Sequence, residues 1–193
     1  PVDFAVWRTD SHWQITDKYL PVEKEYTELY GKSRYFTRYK HDIVFHSFQY
    51  DGFFTFSRKE DPVFHPILFS RPFPRDNESR LKEANSGQWQ LLAETPFVVD
   101  GYNIVEISIA GQGQQMFAVN ASNKIFGNSE VCPKNIPINI IGTMGNHFVG
   151  YINDNYELYR NLVAYGFQKG SPEAEDILSR GGCCLIIYSV GNL

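Results

Sequence analysis

The stretch IVFHSFQYDGFFTFS, residues 43–57, decides the fold class. Its two halves are rich in aromatic and β-branched side chains, which suit the half-buried surface of a sheet. The pair Asp51-Gly52 between them supplies residues that can adopt a positive φ, as a tight hairpin turn requires. The stretch therefore predicts a β-hairpin with strands at 43–49 and 53–57.

The same pattern continues on both sides of the hairpin. Pro66 interrupts the apolar run that follows it and cannot donate a ladder hydrogen bond, which predicts an edge strand or a bulge there. We expect a β-rich fold with mainly antiparallel pairing. Further strands are predicted at Phe4–Trp7, His12–Thr16, Arg34–Lys40, Val63–Ser70, 104–109, 115–119, 124–126, 138–141, 148–152 and 183–190.

One strong helix is indicated at about residues 155–165. Asp154 can cap its first turn, Glu157 follows three residues later, and Gly166 supplies a stop. A shorter helix is predicted to begin at Ser171-Pro172 and to end near Gly181.

The segment from Glu78 to Leu92 allows two interpretations. In the first it is a helix, capped by Asp76 or Asn77, that carries Leu81, Ala84, Leu91 and Leu92 on one side. In the second, residues 88–92 form a strand that opens the next sheet, and the charged residues before it form a loop.

The size and charge of the chain exclude some classes of function. A chain of 193 residues is the size of one domain, and its net charge of −4 argues against a nucleic-acid partner. No apolar run is long enough to span a bilayer, so no membrane insertion is expected. Because the chain begins at Pro1, we expect residues 1–193 to be a single domain cut from a larger protein.

The nucleophilic, acidic, basic and metal-ligating residues of the sequence form no recognisable catalytic or cofactor-binding motif. We therefore expect a protein that is not an enzyme and has no cofactor. A three-histidine metal site from His41, His46 and His65 is conceivable, but structural histidines are more common on aromatic strands. The cysteines are expected to be buried free thiols, although Cys132 could pair with Cys183 or Cys184 in an oxidising compartment.

Aromatic residues are unusually frequent, with 15 Phe, 12 Tyr and 3 Trp. An aromatic ring can stack on the apolar face of a sugar, so a β-rich module of low charge suits glycan binding. Trp89 is the predicted stacking platform because polar residues surround it in sequence and Gly87 precedes it closely. In the alternative interpretation Trp89 anchors the core against Leu91 and Leu92.

The segments 95–109, 116–120 and 136–142 carry a family resemblance. They resemble the second half of a galectin-type carbohydrate-recognition domain, with Pro-Phe and Gly before one strand and Phe117-Ala-Val-Asn120 in the next, where that family has Phe-x-Val-x-Asn. This resemblance implies a β-sandwich over roughly residues 43–152, with added C-terminal elements. It also implies a galactose or N-acetyllactosamine ligand, and it places the sugar contacts at His65, Arg71, Asn85, Trp89 and Glu94.

A second resemblance is to the receptor-binding head of a rotavirus outer-capsid spike. It rests on five short segments in the same order, namely Pro1–Phe4, Glu25–Gly31, Met116–Val119, Lys124–Phe126 and Cys184–Tyr188. It implies binding of cell-surface glycans without chemistry, as part of a larger spike, at the virion surface or in the extracellular space.

Alternatives remain open for both fold and function. The fold could instead be α+β, with one twisted antiparallel sheet wrapped around the helix at 155–165. The chain could be a protein-interaction or structural domain whose aromatic residues are core. It could also be a hydrolase that uses a pair of carboxylates brought together by the fold.

Overall fold

The computed structural model describes residues 3–22, 34–84, 87–99, 101–122, 124–126, 139–164, 166 and 168–188. Its named strands all pair in antiparallel fashion, which confirms the β-rich prediction. Cys132 and the predicted strand end at 189–190 lie outside the described residues.

Strands dominate the described part of the chain, and short helices interrupt them at three places. The strands are β1 (Phe4–Thr9), β2 (Ile15–Pro21), β3 (Phe36–Tyr39), β4 (Asp42–Phe45), β5 (Gly52–Phe56), β6 (Val63–Pro66), β7 (Gln90–Leu92), β8 (Phe97–Val99), β9 (Tyr102–Ile109), β10 (Gly113–Asn120), β11 (Ile125–Phe126), β12 (Asn139–Met144), β13 (His147–Asn153) and β14 (Cys183–Tyr188). The helices are α1 (Asn77–Glu83), α2 (Tyr156–Ala164) and α3 (Pro172–Ser179).

Strands β3 to β6 form the front sheet, in the order β3-β4-β5-β6. The predicted antiparallel pairing is confirmed, with Phe45 opposite Phe54. The tight turn predicted at Asp51-Gly52 is wrong, because β4 ends at Phe45 and residues 46–51 connect the two strands. Strand β6 lies at the edge of this sheet and ends at Pro66, as its missing donor requires. Gly52 is needed for close packing, because a Cβ atom there would lie 2.3 Å from the carbonyl oxygen of His65.

Strands β7 to β11 form the central sheet, in which β9 pairs with β7, β8 and β10. Its alternating side chains supply two different cores, because successive residues of a strand point to opposite faces. Val105 and Ile107 of β9 pack with Val44 and Phe53 of the front sheet. The front and central sheets therefore share a core in the manner of a sandwich.

The other face of the central sheet packs on a rear sheet, which contains β12, β13 and β14. Phe148 of β13 lies against Phe97, Ile104 and Ala118. The resemblance implies a sandwich that continues to about residue 152, but the described strands from Asn139 onward belong to this separate sheet. Their sequences, NIIGTM, HFVGYIN and CCLIIY, are rich in apolar residues like those of sandwich strands, so residue type alone could not separate them.

Helices α2 and α3 cover the remaining face of the rear sheet. Tyr159, Leu162 and Leu178 pack there with Ile152 of β13. The helix near 155–165 therefore exists, but it lies on a three-stranded sheet. The alternative of one sheet wrapped around it does not describe the strands that the structure contains.

The helix starts were predicted with mixed success. Helix α3 begins at Pro172, as predicted, and Ser171 caps it by accepting from the backbone N–H of Ala174. For α2 the cap is Asn155, whose side chain accepts from the backbone N–H of Leu158 at 2.8 Å. The predicted cap, Asp154, has a φ of +47° and donates its own backbone N–H to Gly182.

Both interpretations of the segment from Glu78 to Leu92 hold in part. Asp76 caps α1 by accepting from the N–H of Ser79, and Gln90–Leu92 form β7. The predicted apolar side of the helix is wrong, because Leu81 is 68% exposed while Arg80 is 2% exposed. The guanidinium of Arg80 donates to the carbonyl of Pro74 at 2.8 Å and lies near the Phe73 ring, so a polar side chain anchors the helix.

Two other expectations need correction. Strand β2 begins at Ile15, because residues 11–14 form a turn in which Trp13 has a φ of +62°. Cys183 is exposed and Cys184 is half-buried, so Cys183 is not the buried thiol that its apolar neighbours suggested.

His46 joins the front and central sheets. Its ring is fully buried, with Nδ1 2.8 Å from the carbonyl oxygen of Gly52 and Nε2 2.9 Å from that of Leu92. Gly52 opens β5 and Leu92 ends β7, so one imidazole contacts the backbone of both sheets. The role of this histidine is structural.

Replacing His46 with Leu should lower the free energy of unfolding by about 1–3 kcal/mol, because buried carbonyl oxygens lose their donor while the apolar volume is kept. The exposed His41 offers the matched control, and His41→Leu should change stability by less than about 0.5 kcal/mol. Urea unfolding of the two variants checks both values. Equal stabilities would contradict the assigned role of His46.

Candidate functional site

A cleft of about 430 Å³ lies between α1 and the chain that leads into β7. Pro72 and Pro74 form part of its wall. Its chemistry comes from side chains of five types, namely guanidinium, amide, indole, hydroxyl and carboxylate. They belong to Arg71, Gln88, Trp89, Ser79 and Glu83.

Backbone pairing holds the two walls of this Trp89 cleft together. The N–H of Gln90 donates to the carbonyl of Arg71 at 2.8 Å, and the N–H of Phe73 donates to the carbonyl of Gln90 at 2.9 Å. Residues 71–73 therefore run beside residues 89–90, although sixteen or more residues separate them in sequence. The proline-rich stretch keeps this wall extended.

Trp89 combines the two roles that the sequence left open. Its ring is half-buried and packs on Phe73 with ring centres 4.8 Å apart, at the edge of a core cluster that contains Phe48 and Leu91. The same side chain lines the cleft. Its indole N–H is buried and has no hydrogen-bond partner among the described residues.

Arg71 lies beside Trp89 in the cleft, as the family resemblance implied. Its guanidinium is exposed and donates to the side-chain oxygen of Gln88, which is also exposed. An arginine paired with an amide leaves further N–H donors for a ligand. The cleft therefore offers an aromatic surface next to several hydrogen-bonding groups.

His65 lies elsewhere, in a groove between the front and central sheets. Its ring stacks on Phe53 with centres 4.8 Å apart, and its Nε2 lies 3.0 Å from the hydroxyl of Thr55. Burial lowers the pKa of this imidazole below its usual value. The structure thus separates His65 from Arg71, which the resemblance had placed in one sugar site.

Glu94 lines neither the cleft nor the groove. It is 8% exposed, and its carboxylate accepts the backbone N–H of Arg34 at 3.0 Å. The Arg34 guanidinium donates to Glu106 at 3.1 Å and lies 4.0 Å from the centre of the Phe97 ring. Glu94 therefore helps to hold the segment that leads into β3 close to the central sheet.

The remaining predicted contact, Asn85, lies outside the described residues. Sequence reasoning missed Ser79 and Glu83 as cleft residues. They are four positions apart, so once Asp76 is accepted as the helix cap they lie on one face of α1. The capping residue and the four-residue spacing could have identified this face of the helix, but the sequence also allowed a loop at these positions.

A metal site finds no support in the part of the chain that the structure describes. No group of three His, Cys, Asp or Glu residues there could hold a metal ion. The three histidines considered above are dispersed, since His46 contacts backbone carbonyls and His65 lies in the groove. No helix among the described residues is long and apolar enough to cross a membrane.

Comparisons with known proteins give a fold relationship alone. No protein-family model matches the chain, and no curated protein matches it. The structure is similar to a crystal structure from Bacteroides fragilis NCTC 9343 named "putative exported protein", with a TM-score of 0.65 and 11% sequence identity. The match covers 98% of this chain and 58% of the other, so this chain spans little more than half the length of that protein.

The environment of His65 predicts a pH dependence of stability. Because burial lowers its pKa, the unfolded chain takes up a proton at a higher pH than the folded chain does. The contribution of His65 is therefore present above the unfolded pKa of about 6.5 and is lost as the pH falls through that range. Urea unfolding across this pH range should show that the free energy of unfolding falls less steeply with decreasing pH in His65→Gln than in the wild type. Identical slopes would contradict the prediction.

Proposed function

We propose that the chain is a non-enzymatic glycan-binding module whose ligand occupies the Trp89 cleft. The observation that carries this proposal is the half-buried indole of Trp89 beside the exposed side chains of Arg71 and Gln88. An indole can stack on the apolar face of a pyranose while guanidinium and amide groups bind its hydroxyls. A cleft of about 430 Å³ is of the size that holds small ligands.

The proposed ligand is a galactose-containing glycan of the N-acetyllactosamine type. Its support is the galectin-like motif at residues 95–109, together with the two predicted contacts, Arg71 and Trp89, that line one cleft. Glu83 is the one carboxylate among the described residues that line it. Hydrolysis by the usual glycosidase mechanism needs a pair, so binding fits this cleft better than cleavage.

The proposed setting is attachment to cell-surface glycans, by a head that belongs to a larger viral spike at the virion surface. Its support is the order of the five short spike-head segments in the sequence. The similar Bacteroides protein is called exported, which agrees with a location outside the cell.

A protein-interaction domain is the second candidate, and one observation favours it. Leu185 and Ile187 of β14 are 67% and 54% exposed, and they lie opposite Tyr151 and Val149 of β13 on the rear sheet. Such an apolar strip is typical of a surface that contacts another protein. A glycan array separates the two candidates, since an interaction domain should bind no glycan reproducibly.

Arg71→Ala and Gln88→Ala should each weaken binding of N-acetyllactosamine by about tenfold, because hydrogen bonds from the cleft to sugar hydroxyls are lost. Both residues are exposed, so the melting temperature should change little. The matched control is Arg58→Ala, which removes an exposed arginine from the loop after β5. Chemical-shift titration of the backbone amides measures each affinity. If Arg71→Ala binds as well as Arg58→Ala, the cleft is not the site.

Trp89→Phe and Trp89→Leu separate ring stacking from simple apolar packing. Both keep an apolar side chain against Phe73, so each should lose less stability than Trp89→Ala, for which we expect about 2 kcal/mol or more. The Phe variant keeps a ring and should retain most of the glycan affinity. The Leu variant should bind about fivefold more weakly, as expected for about 1 kcal/mol of stacking. Equal affinities of the two variants would exclude stacking on Trp89.

A further inference from the structure

A second cavity lies between the front and central sheets and is separate from the Trp89 cleft. This intersheet groove has a volume of about 660 Å³ and shares no described lining residue with the cleft. Its walls come from β9 and β10 on one side, and from β6 and the residues that follow it on the other. Ile67 and Phe69 face Val105, Ile107, Phe117 and Val119 across it.

The groove remains open to solvent although its walls are apolar. Val105 and Ile107 are buried, but Ile67, Phe69, Phe117 and Val119 are only partly buried. Around them lie three strongly exposed apolar side chains, Leu68 at 94%, Ile125 at 64% and Phe64 at 42%. Exposed apolar area of this extent around a cavity is typical of a ligand site, because covering it with an apolar molecule is favourable.

The charge of the groove restricts its ligand. None of the described residues that line it is Asp, Glu, Lys or Arg. Its polar side chains are His65, Ser70, Gln90 and Asn103, and burial lowers the pKa of His65, so the imidazole is neutral near pH 7. A carboxylate or an ammonium group would therefore enter without a counter-ion, at a substantial desolvation cost.

A glycan fits this groove poorly for the opposite reason. Its hydroxyls would face the aliphatic side chains of β9 and β10 and would lose hydrogen bonds to water without replacement. The polar groups are few. At one end of the groove, beside Ile109 of β9, the Ser70 hydroxyl donates to the side-chain oxygen of Gln90 at 3.1 Å. Asn103 lies six residues away, near the other end of β9. A polar end on an otherwise apolar molecule matches the Ser70–Gln90 pair.

We propose that the intersheet groove binds an uncharged lipid, an aliphatic chain that ends in a hydroxyl or ester group. The chain lies between Ile67 and Phe69 on one side and the apolar residues of β9 and β10 on the other. The polar end lies with Ser70 and Gln90. The volume of the groove falls in the range of small-molecule sites.

The test uses phenylnaphthylamine, an uncharged dye that fluoresces in apolar sites, and its displacement by hexanol, octanol and decanol. Each added methylene should tighten binding about fourfold until the groove is filled. At about pH 8, where the imidazole is neutral, decanol should displace the dye at a concentration at least about tenfold lower than decanoate does. Absence of dye binding, or equal displacement by decanol and decanoate, would overturn the proposal.

Two variants locate the binding. Val119→Trp fills the groove from β10 and should weaken decanol binding at least about tenfold in a protein with an unchanged circular-dichroism spectrum. If that variant fails to fold, Leu68→Lys decides, because Leu68 is 94% exposed and its replacement leaves the core intact. A lysine at the rim should weaken binding about threefold. If Val119→Trp folds and binds decanol as tightly as the wild type, the lipid does not lie in the groove. If Val119→Trp does not fold, the same result for Leu68→Lys has the same meaning.

Matched controls separate this inference from the proposed function. Leu185→Lys makes the same chemical change at an exposed position of β14 and should leave decanol binding unchanged. Arg71→Ala should weaken only glycan binding. Loss of decanol binding in Leu185→Lys would show that the dye reports the rear sheet, and this would overturn the assignment to the groove.

Discussion

A single buried imidazole connects the two sheets that form the cavities. The ring of His46 reaches the carbonyl oxygen of Gly52 in the front sheet and that of Leu92 in the central sheet. A polar group without water nearby must be hydrogen-bonded, so these distances fix how closely β5 and β7 approach each other. A neutral ring has one N–H and donates to one carbonyl at a time, whereas the protonated ring donates to both. The protonated ring therefore bonds both carbonyls, whereas the neutral ring bonds one and packs against the other, and in each case it contacts backbone segments 40 residues apart in sequence.

That connection also sets where the Trp89 cleft lies. Leu92 is anchored by His46, and β7 begins only two residues earlier at Gln90, whose backbone pairs with Arg71 and Phe73. The cleft wall is therefore an extension of the same strand that the imidazole holds. Arg80 completes the arrangement by joining α1 to Pro74. The cleft side chains therefore extend from a backbone that these hydrogen bonds hold in place.

The sequence predicted strands better than it predicted how strands assemble. The strand pairing within 43–57, the edge position of Pro66 and the helix start at Ser171-Pro172 follow from local chemistry, and all are present. The rear sheet was not foreseen because its strands are rich in apolar residues like those of the central sheet, and residue type does not say which strands pair. Among site residues, Arg71 and Trp89 share a cleft, while His65 and Glu94 do not join them. Their separation depends on long-range packing of the two sheets, which residue spacing along one chain does not encode.

The cleft and the groove have opposite chemistry although the residues that form them adjoin in sequence. Arg71 and Trp89 line the cleft, and their neighbours Ser70 and Gln90 line the groove. In an extended chain, successive side chains point in opposite directions, so one short backbone pairing can supply polar residues to two cavities at once. The difference between the cavities then comes from what lies opposite. The capped helix α1 presents Ser79 and Glu83 to the cleft, whereas β9 and β10 present aliphatic side chains to the groove. Alternation along the chain thus gives two cavities of different chemistry from one structural element.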